Sequence, residues 1–533
     1  MNLLRNFATV GAATMVSRGL GFVRDILIAS AFGTGPIADA FFVAFKLPNL
    51  FRRLFAEGAF NSAFVPLFAR SLEEDGEAGA RRFAEEILAA FVMVLILFTI
   101  AAEILMPLLV HLLAPGFGEA EEKFAATVDF SRITFPYLLL ISLVAFLSGI
   151  LNTFGKFAAA AFAPVLLNIV LIASLVLIAL LGTGQSYLSG TILSIAVSIA
   201  GLVQLVALMI ALRRTGFSVP LTRPRMTGNV RRLVRLGIPG VVAGGITQLN
   251  IMIGTIIASF SASAVSYLYY ADRIYQLPLG VVGIAIGVAL LPDLSRQLRS
   301  GDHDGVHHTQ NRALEFSLVL TLPAAAALVV IAGPIVQVLF ERGAFSAAST
   351  AATAPALAAF GLGLPAFVLI KVFSPGFFAR EDTATPMWFA GVGMVVNVVG
   401  SLALFPFLAH IGIAIATSLA GWVNALLLGV TLWRRGYFAA DVLLLKRLPL
   451  ILLSALVMSV VIWLAARGLA TWLTAEALLF RASALAAIVA LGGLVFFSAC
   501  HFTGAVDLKR YLRIATGRRG GRGKAAESEE QGG

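Results

Sequence analysis

The sequence predicts an all-α polytopic membrane protein of about fourteen transmembrane helices, arranged as two six-helix lobes related by a parallel repeat plus two C-terminal helices. Three observations predict it: the composition, the recurrence of long apolar runs, and the alternation of charge between those runs. Hydrophobic residues make up 59% of the 533 positions and charged residues 13%. Mean hydropathy is +0.93, a balance that a water-soluble domain of this length does not reach. A helix needs roughly 20 apolar residues to cross the hydrocarbon core. Only helices or a closed barrel satisfy the backbone there, and runs apolar on every side, such as Val165 to Leu181, are not barrel strands.

In chain order the spans fall at approximately 8 to 32, 36 to 68, 84 to 113, 128 to 153, 159 to 182, 187 to 212, 230 to 260, 265 to 295, 312 to 340, 350 to 378, 384 to 407, 410 to 433, 447 to 470 and 478 to 503. The first is read as a retained span and not a signal peptide, because Arg18, Arg24 and Asp25 interrupt its apolar core and no small-residue cleavage site follows. The connections near 213 to 235, 296 to 312 and 434 to 447 are arginine-rich, as is the tail. The intervening ones near 33 to 36, 182 to 187, 261 to 265 and 408 to 410 carry no Lys or Arg, and that at 114 to 127 is acidic. The positive-inside rule therefore places both termini in the cytoplasm. After Thr503 the chain turns Gly, Arg, Lys and Glu rich, the composition of a disordered tail.

The second half echoes the first. IADAFFVAFKLPN (Ile37 to Asn49) and AFVPLFAR (Ala63 to Arg70) find counterparts in YADRIYQLPLG (Tyr270 to Gly280) and ALLPDLSR (Ala289 to Arg296), and LIASAFG (Leu27 to Gly33) matches IIASFSA (Ile256 to Ala262). Composition alone also produces weak similarity between apolar segments, and the alignment needs gaps. A six-span repeat puts both copies in the same sense, with a substrate path between them. The expected organisation is a first lobe over 1–228, a second over 229–440, a terminal helix pair over 441–505 and a basic cytoplasmic tail over 506–533.

Charges inside the spans are the chemical signal, since each costs about 2.5–3.5 kcal/mol at a helix centre on insertion scales. The first span holds Ser17, Arg18, Arg24 and Asp25; the second holds Asp39, Lys46, Arg52, Arg53 and Glu57; the eighth holds Asp272 and Arg273. Ser17 and Arg24 are seven residues apart, as are Arg18 and Asp25, so two adjacent stripes make one polar face. At about 1.5 Å per residue Arg24 lies near 12 Å and Arg52 near 24 Å below the outer ends of their spans. Arg52, Arg53 and Arg70 also admit a second reading as side chains snorkelling to headgroups, and Asp39 and Asp272 as helix-start carboxylates. Arg18 and Arg24 admit neither. Because the guanidinium fork matches phosphate oxygens, the inferred substrate is anionic and phosphorylated.

The sequence excludes other classes. Its net charge of +11 comes from interhelical loops and the tail, which points to anionic membrane lipids and not to nucleic acid. No Gly-rich phosphate loop or paired-histidine metal motif is present, and the one cysteine, Cys500, allows neither a disulfide nor a thiolate cluster. A transporter and not an enzyme is expected, with no catalytic residues, no metal site and no cofactor; a coupling cation stays open, its site unassigned.

The run SRGLGFVRD (Ser17 to Asp25), the run AFGTGPIADAFFVAFKLPNLFRRLFAEGAFNSAFVP (Ala31 to Pro66) and YADRIYQLPLGV from Tyr270 resemble the MurJ (MviN) lipid II flippases of the multidrug/oligosaccharidyl-lipid/polysaccharide exporter superfamily. The resemblance implies a bacterial cytoplasmic membrane protein that moves undecaprenyl-diphosphate-linked peptidoglycan precursor, lipid II, from the cytoplasmic to the outer leaflet by alternating access, in contact with the cell wall synthesis machinery. Carried over by position, the family's cavity arginines match Arg18, Arg24, Arg52 and Arg273, with Ser17, Asp25, Asp39, Lys46, Arg53 and Glu57 as neighbours. The terminal helix pair is expected to form a groove for the polyprenyl tail. Some members bind sodium through acidic residues of the second lobe, yet spans 7 and 11 here contain no Asp or Glu. The competing readings are a flippase for another polyprenyl-linked glycan, a cation-coupled multidrug exporter, which would prefer acidic cavity residues, and a transport-silent envelope scaffold.

Overall fold

The surface of the protein is apolar where a soluble protein's would be polar: Leu180 is 81% exposed, Phe407 84% and Trp388 70%, so lipid and not water is the solvent that covers it. The computed structural model describes residues 2–53 and 59–505. The chain runs α1 (Asn2–Phe32), α2 (Pro36–Arg52), α3 (Ala59–Ile104), α4 (Met106–Leu113), a 3-10 turn (Pro115–Glu119), α5 (Glu121–Thr134), α6 (Tyr137–Thr153), α7 (Phe157–Leu181) and α8 (Tyr187–Arg213). It continues with α9 (Gly228–Ser259), α10 (Ala264–Arg299), α11 (His303–Val330), α12 (Ala332–Phe340), α13 (Ala347–Phe378), α14 (Ala384–Arg434), α15 (Val442–Gly468), α16 (Ala470–Leu473) and α17 (Leu478–Phe502). Among the described residues nine helices are long and apolar enough to cross a membrane. Those nine omit α1, α2 and α10, the helices that carry the expected site charges.

Helix ends follow from local chemistry. Pro36 opens α2, where its missing N–H costs nothing. Thr227 and Asp441 cap α9 and α15 by accepting from Val230 N and Leu444 N. Of the segment read from the sequence as one span over 36 to 68, residues 36–53 and 59–68 are described, and both stretches are helical. Pro48 lies inside α2 and cannot donate to the Ala44 carbonyl one turn back; Thr134 Oγ1 of α5 donates to that carbonyl at 3.2 Å. The carbonyl that Pro48 leaves without its helical donor is therefore not orphaned.

The spans read at 384 to 407 and 410 to 433 both lie in α14, which breaks at Ala409 (φ 46°, ψ −130°) and doubles back. A Cβ on Gly412 would stand 2.8 Å from the Leu404 carbonyl carbon, so the two arms meet where only glycine fits. Left-handed joints recur at matching places in the two halves. The first half uses Gly33 (φ 61°), Gly155 (φ 71°) and Gly182 (φ 65°); the second has Ser263 (φ 58°), Glu381 (φ 62°) and Ala409 (φ 46°).

By contacts the chain forms two compact units. One comprises Met1–Gln276, Leu339–Phe360 and Ala390–Val423; the other comprises Leu277–Val338, Gly361–Phe389 and Asn424–Gly533. In the first, α1 packs on α7, α7 and α6 on α8, α2 on α5, and α3 on both α6 and α9. Its core includes a phenylalanine stack, with Phe60 on Phe91 at 4.3 Å and on Phe64 at 5.2 Å. In the second unit α11 packs on α15 and α15 on α17. Buried Glu315 accepts from Arg447 at 2.6 Å and also pairs with Arg312, tying the terminal helices to α11.

The turn between α13 and α14 gives a prediction. Asp382 accepts from Thr385 Oγ1 and N at 2.6 and 2.9 Å and from Arg435 at 2.7 Å. The Thr385 bonds, and then Arg435, hold its carboxyl down at about 2. A depressed acid stabilises above its unfolded value and loses that contribution only as pH falls through the folded one. Asp382→Asn should therefore lower thermal stability by the same amount at every pH from about 5 to 8, and a loss that varied with pH across that window would contradict the assignment.

Candidate functional site

Arg24 and Asp25 sit on the buried side of α1, in the compact unit that also holds the N-terminal part of α10. Asp25 Oδ1 accepts from Arg24 Nε at 3.0 Å, Arg24 Nη2 at 2.7 Å and Tyr269 Oη at 3.0 Å. The other carboxylate oxygen lies 3.6 Å from Arg273 Nε. Arg24 Nη1 donates to Asn168 Oδ1 of α7 at 2.9 Å, and Asn168 Nδ2 donates to the Ser17 carbonyl at 3.0 Å. One carboxylate, one phenol and one amide thus orient two guanidiniums, and a shared network of this kind is stronger than its separate bonds.

The two arginines differ in what they offer. Arg24 has 9% of its side chain exposed, with its Nε, Nη1 and Nη2 engaged; Arg273 has 34% exposed. The Arg273 guanidinium lies over Tyr269, 4.7 Å from the ring centroid, and its Nε–H has no hydrogen-bond acceptor. Tyr269 is itself stacked on Phe42 at 3.8 Å. Arg273 is thus held by a ring face and a long ion pair while most of its donors stay uncommitted.

The other expected site residues are distributed around this cluster. Arg18 is exposed, and among the described residues no partner is found for it. Ser17 enters through its carbonyl. Lys46 Nζ donates to Thr255 Oγ1 of α9 at 2.7 Å and interacts electrostatically with Asp272. Arg52 is half-buried and donates to Asn49 Oδ1 at 3.3 Å, one turn back on α2. Arg53 is exposed at the end of α2. Glu57 lies outside the described residues.

Asp39 does something different. It is fully buried and accepts from Lys123 Nζ at 2.6 Å, from Ser266 N at 2.9 Å and from Ser266 Oγ. Ser266 stands in the first turn of α10, so Asp39 caps that helix from another element, and the Lys123 ammonium rests on the Phe117 ring at 3.8 Å. Around this latch Tyr270 Oη donates to the Gly33 carbonyl at 2.9 Å, Ala344 N donates to the Ser30 carbonyl at 2.8 Å, and Thr34 meets Ser349 at 2.7 Å. A Cβ on Gly33 would stand 2.3 Å from the Ala344 carbonyl oxygen. Helices from both halves of the sequence are therefore held against one another at this end of the unit.

Sequence reasoning missed Asn168, Tyr269 and Lys123 as members of these networks. Asn168 had a usable signal: it is the one amide in the apolar run of α7, and Asn397 stands 229 residues later, the same offset as Leu27 to Ile256. The offset also relates Gly21 to Asn250. Gly21 lies against Asn168, with a Cβ there 3.6 Å from its Nδ2, and Asn397 Nδ2 donates to Asn250 Oδ1 at 2.9 Å. Thr417 Oγ1 donates to Asn397 Oδ1 at 3.1 Å. These second-half residues are neutral and bonded to one another.

Comparison with known proteins matches residues 28–482 to the family model described as lipid II flippase MurJ. A protein of Rhizobium meliloti (strain 1021) named probable lipid II flippase MurJ is 51% identical over 100% of this chain and 98% of its own length. One of Rickettsia prowazekii (strain Madrid E), named likewise, is 36% identical over 95% and 99%. Among solved structures, lipid II flippase MurJ in an inward closed conformation superposes with a TM-score of 0.75 at 26% identity, covering 92% of this chain and 98% of that one. An inward-facing MATE family multidrug transporter of the MOP superfamily reaches 0.64 at 15% identity, over 80% and 97%, and shares the fold.

Proposed function

Because the chain belongs to the lipid II flippase MurJ family, it is a membrane transporter serving peptidoglycan synthesis and not an enzyme, and we propose that its arginine cluster holds the lipid II diphosphate during translocation. The observation that carries this reading is Arg273: a guanidinium oriented by Asp25 and Tyr269 with donors left over. A forked donor so held meets a phosphate without first losing side-chain freedom. Arg18 supplies a second exposed guanidinium, while Arg24, spent on Asp25 and Asn168, positions the others. Lys46, Arg52 and Arg53 extend the cationic path toward the inner face, and Ser17 borders it.

In this reading the cargo moves from the cytoplasmic to the outer leaflet by alternating access, the Asp39 latch closing the outer end while the headgroup enters from within. Both termini lie in the cytoplasm, α15 and α17 bear the polyprenyl tail, and the cell wall synthesis machinery receives the product. Anionic membrane lipids surround the basic inner face. No cofactor is invoked, and a coupling cation has no assigned site. The test is lipid II translocation by the purified chain in vesicles, read by access of externally added enzyme to the headgroup. Protein-dependent access is the expected result; access no greater than in protein-free vesicles would overturn the reading.

A further inference from the structure

Five arginines on the inner connections are spent on the protein's own carboxylates. Arg70 pairs with Glu74, Arg296 with Asp293, Arg312 and Arg447 with Glu315, and Arg435 with Asp382. The connection from α8 to α9 breaks this pattern. Arg213, Arg214, Arg223, Arg225, Arg231, Arg232 and Arg235 are all exposed, and no acid occurs between the first and the last of them. No side-chain hydrogen bond or ion pair of theirs is found among the described residues.

Two further features make the segment more than a loop with positive charge. It is strapped down: Phe217 is buried against Phe154 at 5.1 Å and Phe68 at 5.9 Å, and at the far end Thr227 and Asn229 both donate to Glu86 of α3, at 2.8 and 3.0 Å. The non-helical residues between those anchors cannot leave the surface from which both flanking helices rise. It is also electrostatically unfavourable on its own. Arg231, Arg232 and Arg235 occupy the first two turns of α9, where no acid is present, and the positive end of a helix repels cations. The Glu86 carboxylate, brought to this end, is taken by Thr227 and Asn229.

We propose that this strap, residues 213–235, is a docking surface for anionic phospholipid headgroups of the inner leaflet. Its arginines supply the forks for phosphate. Leu221 and Met226, 64% and 69% exposed between them, enter the acyl boundary, which a soluble acidic partner would leave wet. The proposal rests on the chain's residence in a membrane and stands apart from the choice of cargo, so its failure and the failure of the flippase reading are separable.

Native mass spectrometry of the full chain, released from micelles holding equal phosphatidylglycerol and phosphatidylcholine, tests it. Wild-type protein should retain phosphatidylglycerol preferentially. Replacing Arg223, Arg225, Arg231 and Arg232 with glutamine should cut that retention at least about tenfold, on a scale of roughly fivefold per arginine at the surface. Arg70→Gln, which removes a paired arginine, should leave it unchanged. Equal retention of the two lipids, undiminished retention in the fourfold variant, or displacement by millimolar inorganic phosphate would each overturn the proposal. Should the variant lose helical content, the wild type decides alone: phosphatidylglycerol retention must fall as ionic strength rises through the screening range, and salt-independent retention counts against the strap.

Discussion

Alanine at position 273 is expected to lower lipid II translocation in vesicles by about two orders of magnitude while the protein stays folded. The effect is large because a charge-assisted hydrogen bond contributes about 1.5–3 kcal/mol, and Arg273, with 34% of its side chain exposed, is the more accessible of the two paired arginines. The fold survives because Asp25 keeps Arg24 and Tyr269, so no buried charge is stranded. Arg273→Lys keeps the charge but loses the fork and the flat contact with Tyr269, and should fall between alanine and wild type. Translocation by the alanine variant within twofold of wild type, at matched protein level, would remove Arg273 from the binding site.

Asp39→Ala should have the second large effect, and on stability before transport. It strands the Lys123 ammonium, whose side chain is 11% exposed, and uncaps α10 at Ser266. Breaking one side of a buried pair costs about 3–5 kcal/mol. Asp39→Asn, which still accepts from Ser266 N, should recover part of it. Two measurements check this: thermal unfolding of the purified protein, and labelling of Ser349→Cys in a Cys500→Ala background by an impermeant maleimide from the outer side. Lower stability with faster labelling is expected, and no change in either would show that the latch does not hold the outer end.

Most of the fold was legible because lipid leaves a segment few choices. Apolar runs read over 159 to 182 and 478 to 503 correspond to α7 and α17 within a few residues. The partner of the carbonyl that Pro48 leaves without its helical donor was not legible, since it is Thr134, eighty-six residues away. The site was partly legible for the same kind of reason. Arg24, Asp25 and Arg273 announced themselves as charges where charge is costly. Asn168, Tyr269 and Lys123 carry roles set by what lies opposite them, across 144, 244 and 84 residues respectively, and no local period encodes that. Asp39 was visible as a charge, but its seat between Lys123 and Ser266 was not.

The joints between helices bear on how such a chain ages. At three matching corners the first half places glycine and the second half places serine, glutamate and alanine at comparable positive φ. A left-handed residue with a side chain costs about 1–2 kcal/mol more than one without, and Ala409, with ψ at −130°, lies in a region that only glycine visits freely. What the two halves share at these corners is therefore a backbone trajectory and not an amino acid. The surrounding helices hold the second copy to that trajectory without the residue best suited to it, so the corners of the second half carry backbone strain that the packing absorbs.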